Sequence, residues 1–554
     1  MNRIVSIIIF NLILISGYSA FSQDKELENK DFFGETKWEP TLSDAYKISD
    51  SPKSDTVVTP APELSYSISP VKLNTSFELT PIKAVKIKDE NIIKFYKNYV
   101  KLGFGNYTTP YAEVFVNNLR SKKYSIGAHL KHYSSAGQIN NYGPSGFSDN
   151  LVNIYGEKYL PNYSIAADFN YTRNVVHFYG YNADKYNFTE NDIKQRFNYF
   201  NTNLEFASRY MDKFKLHHTI KLNYYNLSDL YTSQENDVLI EGNANKYFDE
   251  YLAGIKADAD FINYKNDHAT INRNIVSVLP TVTIKQNEWS LTGGFKVAIE
   301  SDSSSNIYHF YPHAVFSYNI IDKVLSFNAT YTGGVQKNNF RTFSLENPFI
   351  DVINNYKNTN NKIDVSGELK TSFSVNTTLT VGANYKEISN MALYVYGPYN
   401  PLFHVIYDNA HCFNLHAELS HQQSEKIRFL LKGDYFKYTM EHELEAWNKP
   451  QLQLSLSTHY NIQNKIIIKG DIFAIGERYA KGYGYFHSAS SYTYSEYAVR
   501  LNPFVDANLG VEYRFTKLLS FYLNFNNIGA VRYYQWYNYP SQRFNVMGGL
   551  TFSF

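Results

Sequence analysis

From Lys97 to the C-terminus, one pattern keeps returning: every second residue is apolar. At 124–130, Tyr124, Ile126, Ala128 and Leu130 share one face, and Ser125, Gly127 and His129 share the other. At 427–435, Ile427, Phe429, Leu431 and Tyr435 oppose Arg428, Lys432 and Asp434. The stretches 452–460, 505–515 and 519–525 repeat the arrangement, the second with Val505, Ala507, Leu509, Val511, Tyr513 and Phe515 on its apolar face. Period two is the signature of strands with unlike faces. A soluble sandwich also alternates, so length must discriminate. Soluble strands run to about 5–6 residues, whereas crossing a bilayer at a tilt takes about 9–11. Several runs here reach the longer figure, and acid and base sit with Ser and Asn on the polar face, as a lumen requires.

The connections point the same way. Very short turns fall at 160–162, 211–213, 286–288, 321–323, 375–377, 423–425 and 463–464. Longer ones lie between them, near 136–148, 175–192, 227–235, 338–356, 391–408 and 477–495. Short periplasmic turns alternating with long outer loops belong to a membrane meander. Strand starts are expected near 97, 109, 122, 149, 162, 194, 213, 236, 250, 270, 288, 306, 323, 361, 377, 410, 425, 450, 464, 503, 517 and 541. The expected fold is therefore all-β. It is a transmembrane antiparallel up-and-down barrel over 97–554 of about 22 strands (18–20 as the alternative), with its C-terminus in the periplasm. The stretch 228–270 is the ambiguous one, because Asp237–Phe248 reads as strand or loop.

Residues 1–22 read differently. Arg3 opens them, Ile4 to Ile15 form an apolar core, and Ala20-Phe21-Ser22 is a small-x-small cleavage site, which makes a signal peptide. Residues 23–96 carry Ser51-Pro52-Lys53-Ser54-Asp55 and Thr59-Pro60-Ala61-Pro62 without a sustained apolar period. They are expected to be an extended periplasmic segment.

Composition sharpens this picture. The 50 Tyr, 39 Phe and 4 Trp make 17% of the chain aromatic, as two interfacial girdles would demand. Net charge is +1, which gives no reason to expect a nucleic-acid partner. A single cysteine, Cys412, excludes an internal disulfide and a zinc-type Cys pair.

The chain ends Phe544-Asn545-Val546-Met547-Gly548-Gly549-Leu550-Thr551-Phe552-Ser553-Phe554. With Gly549, Phe552 and the terminal Phe554, it resembles the signal read by the barrel-insertion machinery. Met547 departs from the polar residue usual there. The stretch Leu523-Asn524-Phe525-Asn526-Asn527-Ile528, with Tyr533-Tyr534, Tyr539-Pro540 and Arg543-Phe544, resembles the last hairpin of TonB-dependent receptors. Asn98–Tyr107 and Trp38–Lys47 resemble the first strand and the periplasmic leader of a plugless, TonB-receptor-like outer-membrane barrel family. The resemblance implies an integral outer-membrane location. It implies solute passage or surface ligand capture. True receptors carry a folded plug of well over 100 residues, whereas 23–96 supplies 74. No folded plug is expected, and no segment reads as a TonB box. A lumen of this width must be filled by something: inward side chains, infolded loops, the 23–96 segment or a partner.

Candidate chemistry is sparse. Cys412, His416 and Glu418 share a strand face, but same-face neighbours stand almost 7 Å apart, at about 3.4 Å per residue, too far to share one ion. His217 and His218 point to opposite faces. No metal, cofactor or catalytic residue is expected. No Gly-x-Ser-x-Gly elbow exists, Gly143-Pro144-Ser145-Gly146 having the wrong spacing. Tyr394, Tyr396 and Tyr399 in one long connection, and Tyr483, Tyr485 and Tyr492 in another, are candidate extracellular contacts. Each offers a flat apolar face with a polar tip. Girdle and loop packing is the plainer reading of the same tyrosines. The expected partners are outer-membrane lipid, the insertion machinery, and a periplasmic or lipoprotein partner through 23–96. That last expectation carries the alternative function, an accessory subunit of an outer-membrane complex.

Overall fold

The computed structural model describes residues 96–554, apart from 119–120, 303–304, 353–354, 398–399 and 489–490, and leaves the side chains of 484–494 undescribed. The expected signal peptide 1–22 and nearly all of the expected extended segment 23–96 lie outside the described residues.

The first wall of the barrel runs β1 (Asn98–Gly105), β2 (Thr109–Asn117), β3 (Tyr124–Ser135), β4 (Phe147–Tyr159), β5 (Tyr163–His177), β6 (Lys194–Ser208), β7 (His217–Ser228) and β8 (Gln234–Phe248). It continues through β9 (Tyr251–Lys265), β10 (Thr270–Lys285), β11 (Trp289–Asp302), β12 (Asn306–Ile321) and β13 (Leu325–Gln336). A short helix, α1 (Phe340–Glu346), precedes β14 (Thr359–Ser374), β15 (Thr377–Tyr396), β16 (Phe403–His421), β17 (Ile427–Met440), β18 (Leu452–Ile462) and β19 (Ile466–Ile475). A hairpin, β20 (Arg478–Ser488) and β21 (Ser491–Leu501), stands outside the barrel sheet. Then come β22 (Phe504–Arg514), β23 (Leu519–Asn526), the small pair β24 (Tyr534–Trp536) and β25 (Tyr539–Pro540), and β26 (Asn545–Ser553).

Twenty-two of these strands form one antiparallel sheet that closes on itself where β1 pairs with β26, from Tyr99↔Ser553 to Gly105↔Met547. Closure removes every open edge, which a bilayer demands because it offers no water to unpaired backbone groups. Each expected start finds a barrel strand, and all but one fall within four residues. The ambiguous stretch 228–270 holds two full strands, β8 and β9, in register from Gln234↔Lys265 to Phe248↔Tyr251.

The exception is β16, which starts at Phe403, and its partner β15, which runs on to Tyr396. The loop expected over 391–408 shrinks to 397–402. The reason is that Met391, Leu393 and Val395 are buried on one side and Tyr394 on the other. A strand covered on both faces loses the alternation that marks strands. The connection expected over 477–495 is likewise a hairpin, with Tyr479↔Arg500 and Tyr485↔Tyr494 opposed.

Side-chain direction follows the alternation. Phe104, Ile126, Leu130, Ile154, Phe169, Leu204, Ile220, Phe261 and Leu523 all stand exposed on the outside. Inward, polar groups pair across strands. Asn153 and Asn203 donate to the two oxygens of Asp168 at 2.6 and 3.2 Å, and Asn223 donates to Asn201 at 2.6 Å. An apolar outside around a satisfied polar inside is the membrane-barrel arrangement. Among the described residues no helix is long and apolar enough to cross a membrane; the strands make the crossings.

Candidate functional site

The connection between β13 and β14, residues 337–358, turns inward at the long-loop end instead of outward. Asn339 starts α1 as its N-cap, its side-chain oxygen accepting from Thr342 N at 2.8 Å, the role short polar residues fill best. Asn347 ends it, its backbone N–H donating to Phe343 O at 2.8 Å. The return leg then adds to β16, with Phe403 N donating to Phe349 O and Asp351 N to Phe403 O.

Two sets of contacts seat this segment. The first is aromatic. Phe340 packs on Phe197 and Tyr264, Phe343 on Tyr356 and Tyr394, and Phe349 stacks on Tyr539 of β25 with ring centres 3.9 Å apart. Trp536 of β24 closes the cluster against Tyr394 and Phe403. Contributions thus come from β6, β9, β15, β16 and the last hairpin, opposite parts of the wall.

The second set is polar and comes from β6 to β10. Glu235, fully buried, accepts from Phe340 N at 2.8 Å, Arg341 N at 3.1 Å and the Tyr225 hydroxyl at 2.8 Å. Lys337 Nζ lies 2.7 Å from Asp237 and 2.6 Å from Asp260. Burial pushes the Lys337 ammonium toward neutrality, but the two carboxylates outweigh it and hold its pKa above the ordinary lysine value. Arg273 donates to Asn358 at 3.2 Å and to Asn338 O at 2.7 Å. The Arg341 guanidinium rides 3.4 Å above the Tyr199 ring. The segment is therefore a seated element, and it occupies the long-loop end of the lumen.

It divides the space there. A cavity of about 850 Å³ lies against Arg341 and Phe349 and is lined by Asn170, Asn174, Asp506 and Tyr533 of the facing walls. Another of about 630 Å³ lies against Phe340 and Ile350 and is bounded by Phe178, Ile193, Asp229 and Leu402. Such sizes suit small molecules of drug or oligopeptide scale.

The expected contact tyrosines separate on inspection. Tyr394 is a strand residue, fully buried, whose hydroxyl donates to Glu346 at 3.0 Å, so it presents nothing to a surface ligand. Tyr396, the last residue of β15, donates to Gly180 O at 2.6 Å and lines a further cavity of about 570 Å³ with Tyr142, Tyr186 and Arg532. Tyr483 lies in β20 opposite Glu496. Tyr399 and the side chains of Tyr485 and Tyr492 lie outside the described residues. Lys337, Glu235, Asp237 and Asp260 were not singled out from the sequence. The signal available was weak: two acids at one strand's start, on the inward parity.

At the closing seam, Gly549 pairs with Gly103 on one side and Tyr522 on the other. A side chain at Gly549 would run into Leu102 O and the Tyr522 hydroxyl, and one at Gly103 would run into the same hydroxyl. The glycines leave room for a phenol ring laid across the seam, with Lys101 Nζ 4.4 Å from its centre. Phe552 and Phe554 face outward and are exposed. Cys412 is buried, Glu418 pairs with Lys432 at 2.8 Å, and His416 lies 3.6 Å from Glu368. Among the described residues no three potential ligands converge on a metal position.

No family model matches the sequence, and no curated protein matches it. Solved structures do match the fold. The FrpB iron transporter of Neisseria meningitidis (F3-3 variant) superposes with a TM-score of 0.65 at 10% identity, over 84% of this chain and 82% of that one. The pyoverdine outer membrane receptor FpvA of Pseudomonas aeruginosa, bound to pyoverdine, gives 0.61 at 14%, over 84% and 79%. The ferric-catecholate import receptor Fiu of E. coli gives 0.60 at 9%, over 83% and 82%. With its 22 strands and apolar outer face, the chain is an integral outer-membrane β-barrel with the fold of these structures.

Proposed function

We propose that the protein is an outer-membrane receptor that captures a solute at its long-loop, cell-exterior end and admits it past the infolded segment 337–358, which acts as a lid. The carrying observation is the way the lid is held. Beside its aromatic packing it is fastened by Glu235, Asp237, Asp260 and Arg273, groups whose partners can be exchanged for water or ligand. Cavities on the lid's two sides, about 850 and 630 Å³, are the candidate capture sites. The matched structures are an iron transporter, a pyoverdine receptor and a ferric-catecholate import receptor, which supports a receptor-type role, and the solute taken here is left to its own chemistry. On this reading the lid takes the place of a folded plug.

Planar-bilayer recording tests it. The full chain should be silent or nearly so, and a variant with 339–350 replaced by a short Gly-Ser linker should show large, stable conductance. A lidless barrel that shifts on heating like a folded one, yet passes no current, would refute the reading.

A further inference from the structure

One ammonium of the lid, that of Lys337, identifies the chemistry of the wall it leaves behind; the other, Lys357, lies toward the Tyr407 ring. Asp237 and Asp260 sit on neighbouring strands, facing the lumen. They are 0% and 6% exposed, so both are more than nine-tenths buried. Among the described residues their ion-pair partner is Lys337 alone, which comes from the lid, not from the wall. Nearby Arg273 spends Nη1 on Asn358 and Nη2 on Asn338 O, and Arg341 lies over Tyr199. Each aspartate spends one oxygen on Lys337. The other oxygen, Oδ1 in both, is buried with no hydrogen-bond partner. An unpartnered buried carboxylate oxygen is costly, so the pair has unused accepting capacity where it is already dry. When the lid leaves, two buried carboxylates lose their cation together, a state that strongly favours any replacement.

We propose that Asp237 and Asp260 form a cation-accepting station on the lumen wall. It is held in the closed barrel by Lys337 and taken in the open barrel by an ammonium or guanidinium group of the solute. The four oxygens match such a donor. Lys337 shows that one ammonium reaches both carboxylates at 2.6–2.7 Å, and a guanidinium, with five N–H groups, could also engage the two idle oxygens. A solute that competes with Lys337 would loosen the lid as it binds, coupling recognition to opening by mutual exclusion. The inference rests on the lid reading above and names the solute chemistry of that passage.

The test is chemical rescue in the full chain. Lys337→Ala empties the station and leaves a space the length of a lysine stem. Propylammonium, the probe, is added at a concentration on the order of 10 mM, enough to fill a millimolar site. Thermal unfolding is followed by gel mobility, and conductance in planar bilayers. Propylammonium should raise the unfolding temperature of Lys337→Ala by about 1–2 °C, the few degrees that some 1 kcal/mol gives at 150–250 residues reduced for a chain about twice as long. It should also cut the variant's conductance about fivefold, the same energy expressed as a ratio. Propionate should do neither, and adding Asp237→Asn with Asp260→Asn should abolish both effects. No response to propylammonium, or an equal response in the triple variant, overturns the station. If propylammonium stabilises but even the lidless barrel never conducts, the passage reading fails and the station stands. Should Lys337→Ala not fold, a lidless barrel in which the linker replaces 337–350, so that Lys337 is gone too, decides instead. Its reversal potential in a KCl gradient should show cation preference that falls at least about twofold with the two asparagines, and an unchanged preference overturns the proposal.

Discussion

Replacing Glu235 with alanine should release the whole lid, and the structure sets the size of the effect. Three donors converge on this carboxylate: Phe340 N, Arg341 N and the Tyr225 hydroxyl, at 2.8, 3.1 and 2.8 Å. Removing the acceptor strands all three in a buried place, and each stranded donor costs about 1–3 kcal/mol. Taking about 1.5 kcal/mol apiece, and letting water entering the space recover about a third, leaves about 3 kcal/mol. At about 1.4 kcal/mol per tenfold, the equilibrium between seated and released lid moves by about 10²-fold. Glu235→Gln keeps one accepting oxygen and should move it by about tenfold.

Amide hydrogen exchange reads this directly. The informative reporters are those that never touch Glu235: Phe343 N, held by Asn339 O; Asn347 N, held by Phe343 O; and Asp351 N, held by Phe403 O. If Glu235 fastens the lid, all three lose protection together by about the predicted factor. If only Phe340 and Arg341 change while these three keep their wild-type protection, Glu235 is a local cap and the latch reasoning is refuted.

At the seam, Gly103→Ala should destabilise the barrel by about 1–3 kcal/mol through overpacking against Tyr522, and Tyr522→Phe should restore most of it on heat-shift gels. Gly549→Ala should not be relieved by Tyr522→Phe, because the backbone oxygen of Leu102 still blocks the new methyl. Removing Phe554, or changing Phe552 to Ser, should lower the fraction inserted by purified insertion machinery without altering the melting of the barrels that do insert. In the 441–451 loop, the hydrogen bond to Asp408 raises the His442 pKa above its ordinary value. The sign follows: the contact holds fully below about pH 6.5, the unfolded value, and is lost as pH rises through the higher folded one. Exchange at His442 N and Glu443 N, both donors to Asp408, should therefore quicken on the alkaline side after correction for intrinsic rates.

How much of this was legible beforehand depended on which faces were covered. Where a strand meets lipid on one side and lumen on the other, as in β18 with Leu452, Leu454 and Leu456 against Gln453, Ser455 and Ser457, alternation locates it closely. β15 shows the limit. Beyond the bilayer its far end is covered by α1 on one face and by Trp447 and the β20–β21 hairpin on the other, so Leu393, Tyr394 and Val395 read as an apolar run in a loop. The lid was invisible for another reason. Its seven-residue helix is too short for an amphipathic period, and its fastening depends on residues about 100 positions away, such as Lys337 with Asp237. Long-range charge pairing leaves no local mark. The seam lay between: Gly549 drew notice as part of a terminal motif, while its packing reason, the Tyr522 ring, needed the register to be known.

The two ways this chain closes space differ in kind, and the difference bears on function. At the seam, closure is by shape: a ring over two glycines, with backbone pairing on both sides, and no cheap intermediate between closed and broken. At the lid, an aromatic cluster supplies attraction without direction, and buried polar groups supply direction at a desolvation cost. A lid held by the cluster alone would have many nearly equal seats. Glu235, Asp237, Asp260 and Arg273 select one, because any shift strands a charge. The same groups make release conditional, since they let go cheaply only to something that replaces their partners. Glu235 needs N–H donors and the aspartate pair needs a cation. An element fastened in that way responds to the chemistry of what approaches it, which is the property a receptor requires of its gate.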